Sequence, residues 1–266
     1  MQGATPTERA RMLRELHHRE RPLILPNAWD VASALAVERA GATAVATTSS
    51  GVAESLGYPD GQAMPVGEML AAISRMAAAV AVPLTADLEA GYGLEPETLV
   101  DRLIASGAVG LNLEDTDRAG DPTRMVGAER QAAYIAGVRA AADDAEVPLV
   151  INARIDSFLR GDGTPAERLD DAIARGRAYL EAGADCVYPI WLTDATAIER
   201  IVRELDAPLN VLLRPGAPSV ERLAALGVRR ISVGGGLARH ALARIEELAR
   251  RLVAGDGDAF AELGED

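Results

Sequence analysis

Two carboxylates stand two residues apart at the end of an apolar run in Pro83-Leu84-Thr85-Ala86-Asp87-Leu88-Glu89-Ala90-Gly91-Tyr92-Gly93. A strand alternates its side chains with period two, so Asp87 and Glu89 are expected to leave it on one face. Like charges held that close repel unless a cation lies between them. Hard carboxylate oxygens suit Mg²⁺, with Mn²⁺ as the second choice. A solvated acidic loop between a strand and a helix is the other reading of the same residues. Further chemistry-bearing residues sit at the ends of other apolar runs: Asn27, Trp29 and Asp30, then Thr48, Ser49 and Ser50, Glu114 and Asp115, Arg154 and Asp156. Asp60 lies in the long loop after the second run. Several acids and one arginine converging on one mouth favour the metal over the acidic loop.

Convergence of that kind needs a scaffold that brings strand ends together. The apolar runs are Leu23–Pro26, Ala44–Thr48, Leu84–Leu88, Gly110–Glu114, Leu149–Arg154, Cys186–Ile190, Leu209–Leu213 and Arg230–Val233. Amphipathic segments separate them, among them Pro65–Val80, Pro96–Ser106, Ala128–Ala142, Pro165–Ala182 and Ala195–Leu205. Pro65, Pro96 and Pro165 open helices, where a missing N–H costs nothing. Gly41, Gly107 and Gly183 close them as C-caps. Strand-helix alternation repeated in this way predicts an α/β fold, a closed (β/α)₈ TIM barrel forming one domain over residues 1–266. A doubly wound open sheet is the runner-up. Gly234-Gly235-Gly236 follows the last strand rather than the first, so no dinucleotide fingerprint is indicated.

Composition excludes several classes. All 27 residues in the Lys+Arg count are arginine, which removes Schiff-base chemistry, covalent pyridoxal phosphate and a Walker-type phosphate loop. A net charge of −13 argues against nucleic acid or an anionic membrane as partner. No segment reads as a signal peptide or a membrane span, and the expected compartment is the cytoplasm. The single cysteine, Cys186, lies in an apolar run and reads as a buried structural thiol. His17, His18 and His240 fall away from strand ends, so no histidine catalysis is expected.

The run Thr47-Thr48-Ser49-Ser50-Gly51-Val52-Ala53, followed by Leu56-Gly57-Tyr58-Pro59-Asp60, resembles the phosphoenolpyruvate mutase/isocitrate lyase superfamily. So do Asp87–Gly93, Gly110-Leu111-Asn112-Leu113-Glu114-Asp115 and Asn152-Ala153-Arg154-Ile155-Asp156, in matching order and spacing over nearly the whole chain. The resemblance implies a (β/α)₈ barrel that uses Mg²⁺ to make or break a C–C or P–C bond in a 2-oxo acid or enolpyruvate. It implies Asp87 as the principal metal ligand, with Glu89 and Glu114 acting on the metal directly or through its waters. Glu89 stands where the family usually has aspartate. Asp60 would hydrogen-bond metal-bound water, so that Asp60, Glu114 and Arg154 form the implied catalytic set. The backbone N–H groups of Ser49 and Ser50 would take the substrate carboxylate, and Thr48 aligns with the serine before them. Arg154 would offer its fork to a carboxylate or phosphonate. Metal and donors together would stabilise the enolate-like charge left by bond cleavage.

Departures from the family pattern narrow the expectation. Isocitrate and methylisocitrate lyases carry a Lys-Lys/Arg-Cys-Gly-His segment after the fourth strand. Here Asp115-Thr116-Asp117-Arg118-Ala119-Gly120-Asp121-Pro122-Thr123-Arg124-Met125 has no Cys, His or Lys. The phosphomutase gate, with its lysine and asparagine, is missing too, and Tyr188-Pro189-Ile190 replaces a frequent Phe-Pro-Glu. The expected activity is therefore a Mg²⁺-dependent lyase of a small 2-oxo or 2-hydroxy acid, resembling oxaloacetate decarboxylases. The alternatives are a phosphonomutase or phosphonopyruvate hydrolase and, from another class, a non-catalytic carboxylate-binding barrel. Asp117–Met125 reads as a mobile lid from which Arg118 or Arg124 swings inward, or as a solvated loop. Asp30 reads as the N-cap of a helix over Val31–Arg39, Tyr92 as packing beside Gly91 and Gly93 or else lining the mouth, and Arg214 as an exposed loop arginine or else a binder of an anionic substrate group. Relatives are dimers of dimers whose last helix crosses to a neighbour. The expected partners are thus a small anionic carboxylate and further copies of the chain. Leu242, Ile245, Leu248 and Leu252 on Leu237–Val253 would either cross in this way or close their own barrel.

Overall fold

Strands buried on both faces must be apolar along their whole length, and the runs in this sequence pair in parallel as that requires. In the computed structural model, which describes residues 3–259, the first stave has two halves, β1 (Leu23–Leu25) and β2 (Asn27–Ala28). Pro26 between them has no N–H for a ladder, and the chain changes partner there. From β2 the ladder passes through β3 (Val45–Thr47), β4 (Leu84–Asp87), β5 (Gly110–Glu114) and β6 (Val150–Ile155) to β7 (Cys186–Pro189). β8 (Asn210–Leu212) pairs with β9 (Arg230–Ser232), and β9 pairs with β1. A parallel bridge from Val187 to Leu209 joins β7 to β8 and completes the ring. The fold is the (β/α)₈ TIM barrel expected, with the first stave broken at Pro26 rather than continuous.

A helix, α1 (Pro6–Leu16), lies across the N-terminal end of the ring as a floor. Thr5 and Glu8 form a capping box at its start. Its Leu13 comes so close to β5 that a Cβ at Gly110 would stand 2.8 Å from Leu13 Cδ2. His17, at the end of α1, is 1% exposed, with Nδ1 2.8 Å from the Leu13 carbonyl. A carbonyl only accepts, so Nδ1 carries the proton and the Nε2 lone pair faces Arg230 Nη1 at 3.4 Å. Burial, followed by the nearby Arg230 charge, pushes His17 down to about 3, so the ring is neutral. Arg230 Nη2 donates to Asn112 Oδ1 at 3.2 Å, an oxygen that also accepts from Asn152 Nδ2 at 2.7 Å. Among the described residues no carboxylate pairs with Arg230.

The remaining helices form the outer layer. Asp30 caps α2 (Val31–Arg39) by accepting from Ser33 N at 2.7 Å, and Gly41, Gly107 and Gly183 take the left-handed conformation expected of C-caps. The last helix, α11 (Gly236–Val253), buries only Ala238 and leaves Leu237, Leu242, Ile245, Leu252 and Val253 exposed. Leu242, Ile245 and Leu252 therefore do not close their own barrel, while Leu248 is half-buried. Among the described residues no helix is long and apolar enough to cross a membrane.

Candidate active site

The C-terminal strand ends gather the acids, though not by the route that strand periodicity predicts. β4 stops at Asp87, whose backbone N–H donates to Thr47 Oγ1 at 2.9 Å instead of continuing the ladder. Leu88 is fully buried, and Glu89 takes a left-handed φ of +51°. A turn, not the strand pleat, brings Glu89 to the mouth; Glu114 N anchors it by donating to Glu89 O at 2.8 Å. Asp87 Oδ2 accepts from Ser49 N (3.1 Å) and Ser49 Oγ (2.9 Å), while Oδ1 is buried without a partner. Glu89 Oε1 accepts from Gln62 N (3.0 Å) and the Tyr92 hydroxyl (3.2 Å), and its Oε2 lacks a hydrogen bond. Burial above all, then the charges of Glu114, Asp87 and Asp60, pushes Glu89 up to about 8.

Two arginines meet Glu114. Arg118 Nε donates to its Oε1 at 2.7 Å, and Arg154 Nη1 lies 2.6 Å from Oε2. Burial is the main force raising the Glu114 carboxyl above the usual carboxylate range, opposed chiefly by Arg154. Arg154 also grips Asp156 bidentately through Nε (2.7 Å) and Nη2 (3.0 Å), and the Thr116 hydroxyl donates to the same carboxylate. One N–H remains on each terminal nitrogen of Arg154. Asp115 turns away from this group. It accepts from Arg175 Nη1 (3.1 Å) and the Tyr179 hydroxyl (2.7 Å) of α8 (Pro165–Glu181), so it ties the strand end to the outer layer.

The other predicted residues are distributed around this centre. Ser49 and Ser50 begin α3 (Ser49–Ser55), and the Thr48 and Ser50 hydroxyls lie 3.1 Å apart. The Ser49 N–H is already engaged by Asp87. Asp60 is exposed and touches the site through Ser49 Oγ at 3.5 Å. Arg118 has swung inward, whereas Arg124 is exposed. Tyr92 is not mere packing, since its hydroxyl holds Glu89. Arg214 is not a free loop arginine either: its guanidinium stacks 3.9 Å above the Trp191 ring. Gln62 went unread in the sequence. The glycine before it, Gly61 with φ +99°, is the signal that could have marked its turn.

Both Glu114 oxygens lie within 2.7 Å of guanidinium nitrogens, so the acceptors left most open are Asp87 Oδ1 and Glu89 Oε2, the latter 3.5 Å from Arg118 Nη2. Among the described residues no group of three or more His, Cys, Asp or Glu side chains is placed to hold a metal ion. Two buried carboxylate oxygens without hydrogen bonds fit Mg²⁺, which takes one or two carboxylates and keeps several waters. The family model for phosphoenolpyruvate phosphomutase matches residues 13–253. The chain belongs to the phosphoenolpyruvate mutase/isocitrate lyase superfamily. Within that superfamily, 2-methylisocitrate lyase of Escherichia coli K12 is 30% identical over 72% of this chain and 65% of its own length. Oxaloacetate decarboxylase 2 of Pseudomonas putida W619 is 29% identical over 67% of this chain and 59% of its own. A Burkholderia cenocepacia J2315 crystal structure, described provisionally as a lyase/mutase, superposes with a TM-score of 0.89 at 36% identity, covering 98% of this chain and 93% of that one. Phosphonopyruvate hydrolase in complex with oxalate and Mg²⁺ superposes with a TM-score of 0.82 at 25% identity, covering 94% and 88%.

Proposed function

We propose that this barrel is a Mg²⁺-dependent lyase of a small 2-oxo or 2-hydroxy acid, with oxaloacetate-type C–C cleavage as its reaction. The observation that carries this reading is the pair of buried oxygens without a hydrogen bond, Asp87 Oδ1 and Glu89 Oε2, in a mouth where carboxylates outnumber arginines. A bound divalent cation supplies positive charge toward which the electrons of the breaking bond can move. Ser49 holds Asp87 in place through two hydrogen bonds, and Gln62 and Tyr92 hold Glu89. The spare N–H groups of Arg154 and the Ser50 N–H are the donors assigned to the substrate's carboxylate. In oxaloacetate the C3–C4 bond breaks, its electron pair enters the 2-oxo group as an enolate, CO₂ leaves, and a solvent proton returns to carbon. No side-chain acid is needed for that last transfer, which suits a loop without the lyase cysteine. The phosphonate alternative is supported by the family match but lacks the lysine-bearing gate.

The test is pyruvate formation from oxaloacetate with Mg²⁺ and with EDTA, for the natural chain and for Asp87→Asn. Metal-dependent turnover that falls about a hundredfold or more in Asp87→Asn is expected, the scale of losing a main electrostatic group. No metal-dependent turnover of any 2-oxo acid would sink the proposal. A phosphorus NMR change on phosphonopyruvate would move it to P–C chemistry, and oxalate binding without turnover to a binding barrel. We further propose that the chain works in the cytoplasm as a homo-oligomer, a dimer of dimers. The exposed apolar positions of α11 and a groove of about 360 Å³ beside the exposed Ile24 support that assembly.

A further inference from the structure

We propose that Arg118 is a latch. It serves as a resident counter-cation for Glu89 and Glu114, and a divalent cation entering the mouth competes with it and frees the loop Asp117–Arg124. The inference rests on the reading of Asp87 and Glu89 as the cation-binding carboxylates.

The loop is satisfied within itself. Thr116 and Met125 form an antiparallel bridge at its base, and Asp117 N donates to Arg124 O at 2.9 Å. Nearer the tip, Gly120 N donates to Asp117 Oδ1 (3.0 Å), and Thr123 donates through N (2.9 Å) and Oγ1 (2.6 Å) to Asp121 Oδ1. Such a loop can move as one body without orphaning its backbone groups. Ala119 to Arg124 are all exposed. Among the described residues Arg118 is the one side chain between Asp117 and Arg124 that bonds outside the loop. Its side chain is only 13% exposed.

The grip on the mouth is uneven. Nε holds Glu114 Oε1 at 2.7 Å, while Nη2 stands 3.5 Å from Glu89 Oε2. Gly61 makes room on the other side, since a Cβ there would lie 2.8 Å from Arg118 Nη1. The guanidinium therefore lies against Gly61, beside the one Glu89 oxygen that has no hydrogen bond. A divalent cation held by Asp87 and Glu89 takes that oxygen from Arg118 and sets positive charge against positive charge. Glu114 keeps Arg154 when Arg118 leaves, so opening abandons no buried carboxylate. By reciprocity, whatever the cation does to the loop, the loop does to cation affinity.

The absence of lysine makes trypsin a clean reporter, because it cuts this chain only after arginine and the loop offers Arg118–Ala119 and Arg124–Met125. Calorimetry with MnCl₂ alone, without substrate, is compared for the natural chain, Arg118→Gln, Arg118→Lys and the exposed control Arg124→Gln. We expect Arg118→Gln to bind Mn²⁺ at least about fivefold tighter than the natural chain, as a closed fraction no longer subtracts from apparent affinity. Arg118→Lys should fall between, and Arg124→Gln should match the natural chain. Saturating Mn²⁺ should speed cleavage at Arg124–Met125 several-fold in the natural chain, whereas Arg118→Gln should be cut fast without metal. Equal Mn²⁺ affinity in all four, or loop cleavage that Mn²⁺ slows, overturns the latch and leaves the cation reading standing. No Mn²⁺ binding to any of them overturns both.

Discussion

The two ends of this barrel bury charge in opposite ways. At the floor, Arg230 is sealed in with neutral company: the His17 ring, Asn112 and, through Asn112, Asn152. At the mouth, Glu89, Glu114 and Asp156 face Arg118 and Arg154, with Asp87 held by Ser49 beside them and Asp60 exposed nearby. A closed floor can settle a lone cation with dipoles, because nothing has to enter or leave. The mouth keeps an excess of negative charge and two carboxylate oxygens without hydrogen bonds, a state that pays only where a cation can arrive from solvent. Unbalanced charge beside an opening marks function; a lone cation held by neutral dipoles under a helix marks architecture.

That contrast can be broken by experiment. Arg154→Ala strands Asp156 in the interior and takes one of its two guanidinium partners from Glu114, so urea denaturation should show a loss of about 3–5 kcal/mol. Arg230→Met removes the floor cation with no carboxylate left behind, and should cost only about 1–3 kcal/mol for the abandoned His17 and Asn112 acceptors. Equal losses would erase the distinction between the two ends. Smaller in slope is the acid response of the floor. His17 titrates near 6.5 when unfolded and at about 3 when folded, so the unfolded chain binds the extra proton between those values. Its contribution is complete above pH 6.5 and fades as pH falls toward 3, by about 1.4 kcal/mol per pH unit. His17→Gln should remove that component from the stability-pH curve, and an unchanged acid slope would show that the ring is charged in the fold.

The barrel was legible because its physics is local and repetitive. Pro96 and Pro165 open α5 (Pro96–Ala105) and α8 as expected, and α9 (Ala195–Leu205) matches its apolar periodicity. Pro65 turned out to be the N-cap of α4 (Val66–Ala79), one place outside the helix. The breaks at Pro26 and after Asp87 were harder to read, since each depends on which neighbour takes a backbone group. In the site, Asp87, Glu89, Glu114 and Arg154 could be grouped because all lie at or just past strand ends. Their holders could not be grouped in the same way. Gln62 and Tyr92 reach Glu89 from left-handed turns, and a pattern of apolar residues carries no trace of those angles. The floor was less visible still, with His17 and Arg230 meeting across 213 positions of sequence.

The left-handed backbone of Glu89 also bears on how this position can change over generations. Glycine, asparagine and aspartate tolerate a φ of +51°, whereas valine, isoleucine and threonine crowd their own carbonyl there. Exchange at position 89 is therefore sieved by backbone sterics before any chemistry is tested. Aspartate is the one other residue that passes that sieve with a carboxylate, which makes it the natural neighbour of Glu89 in any walk through sequence space.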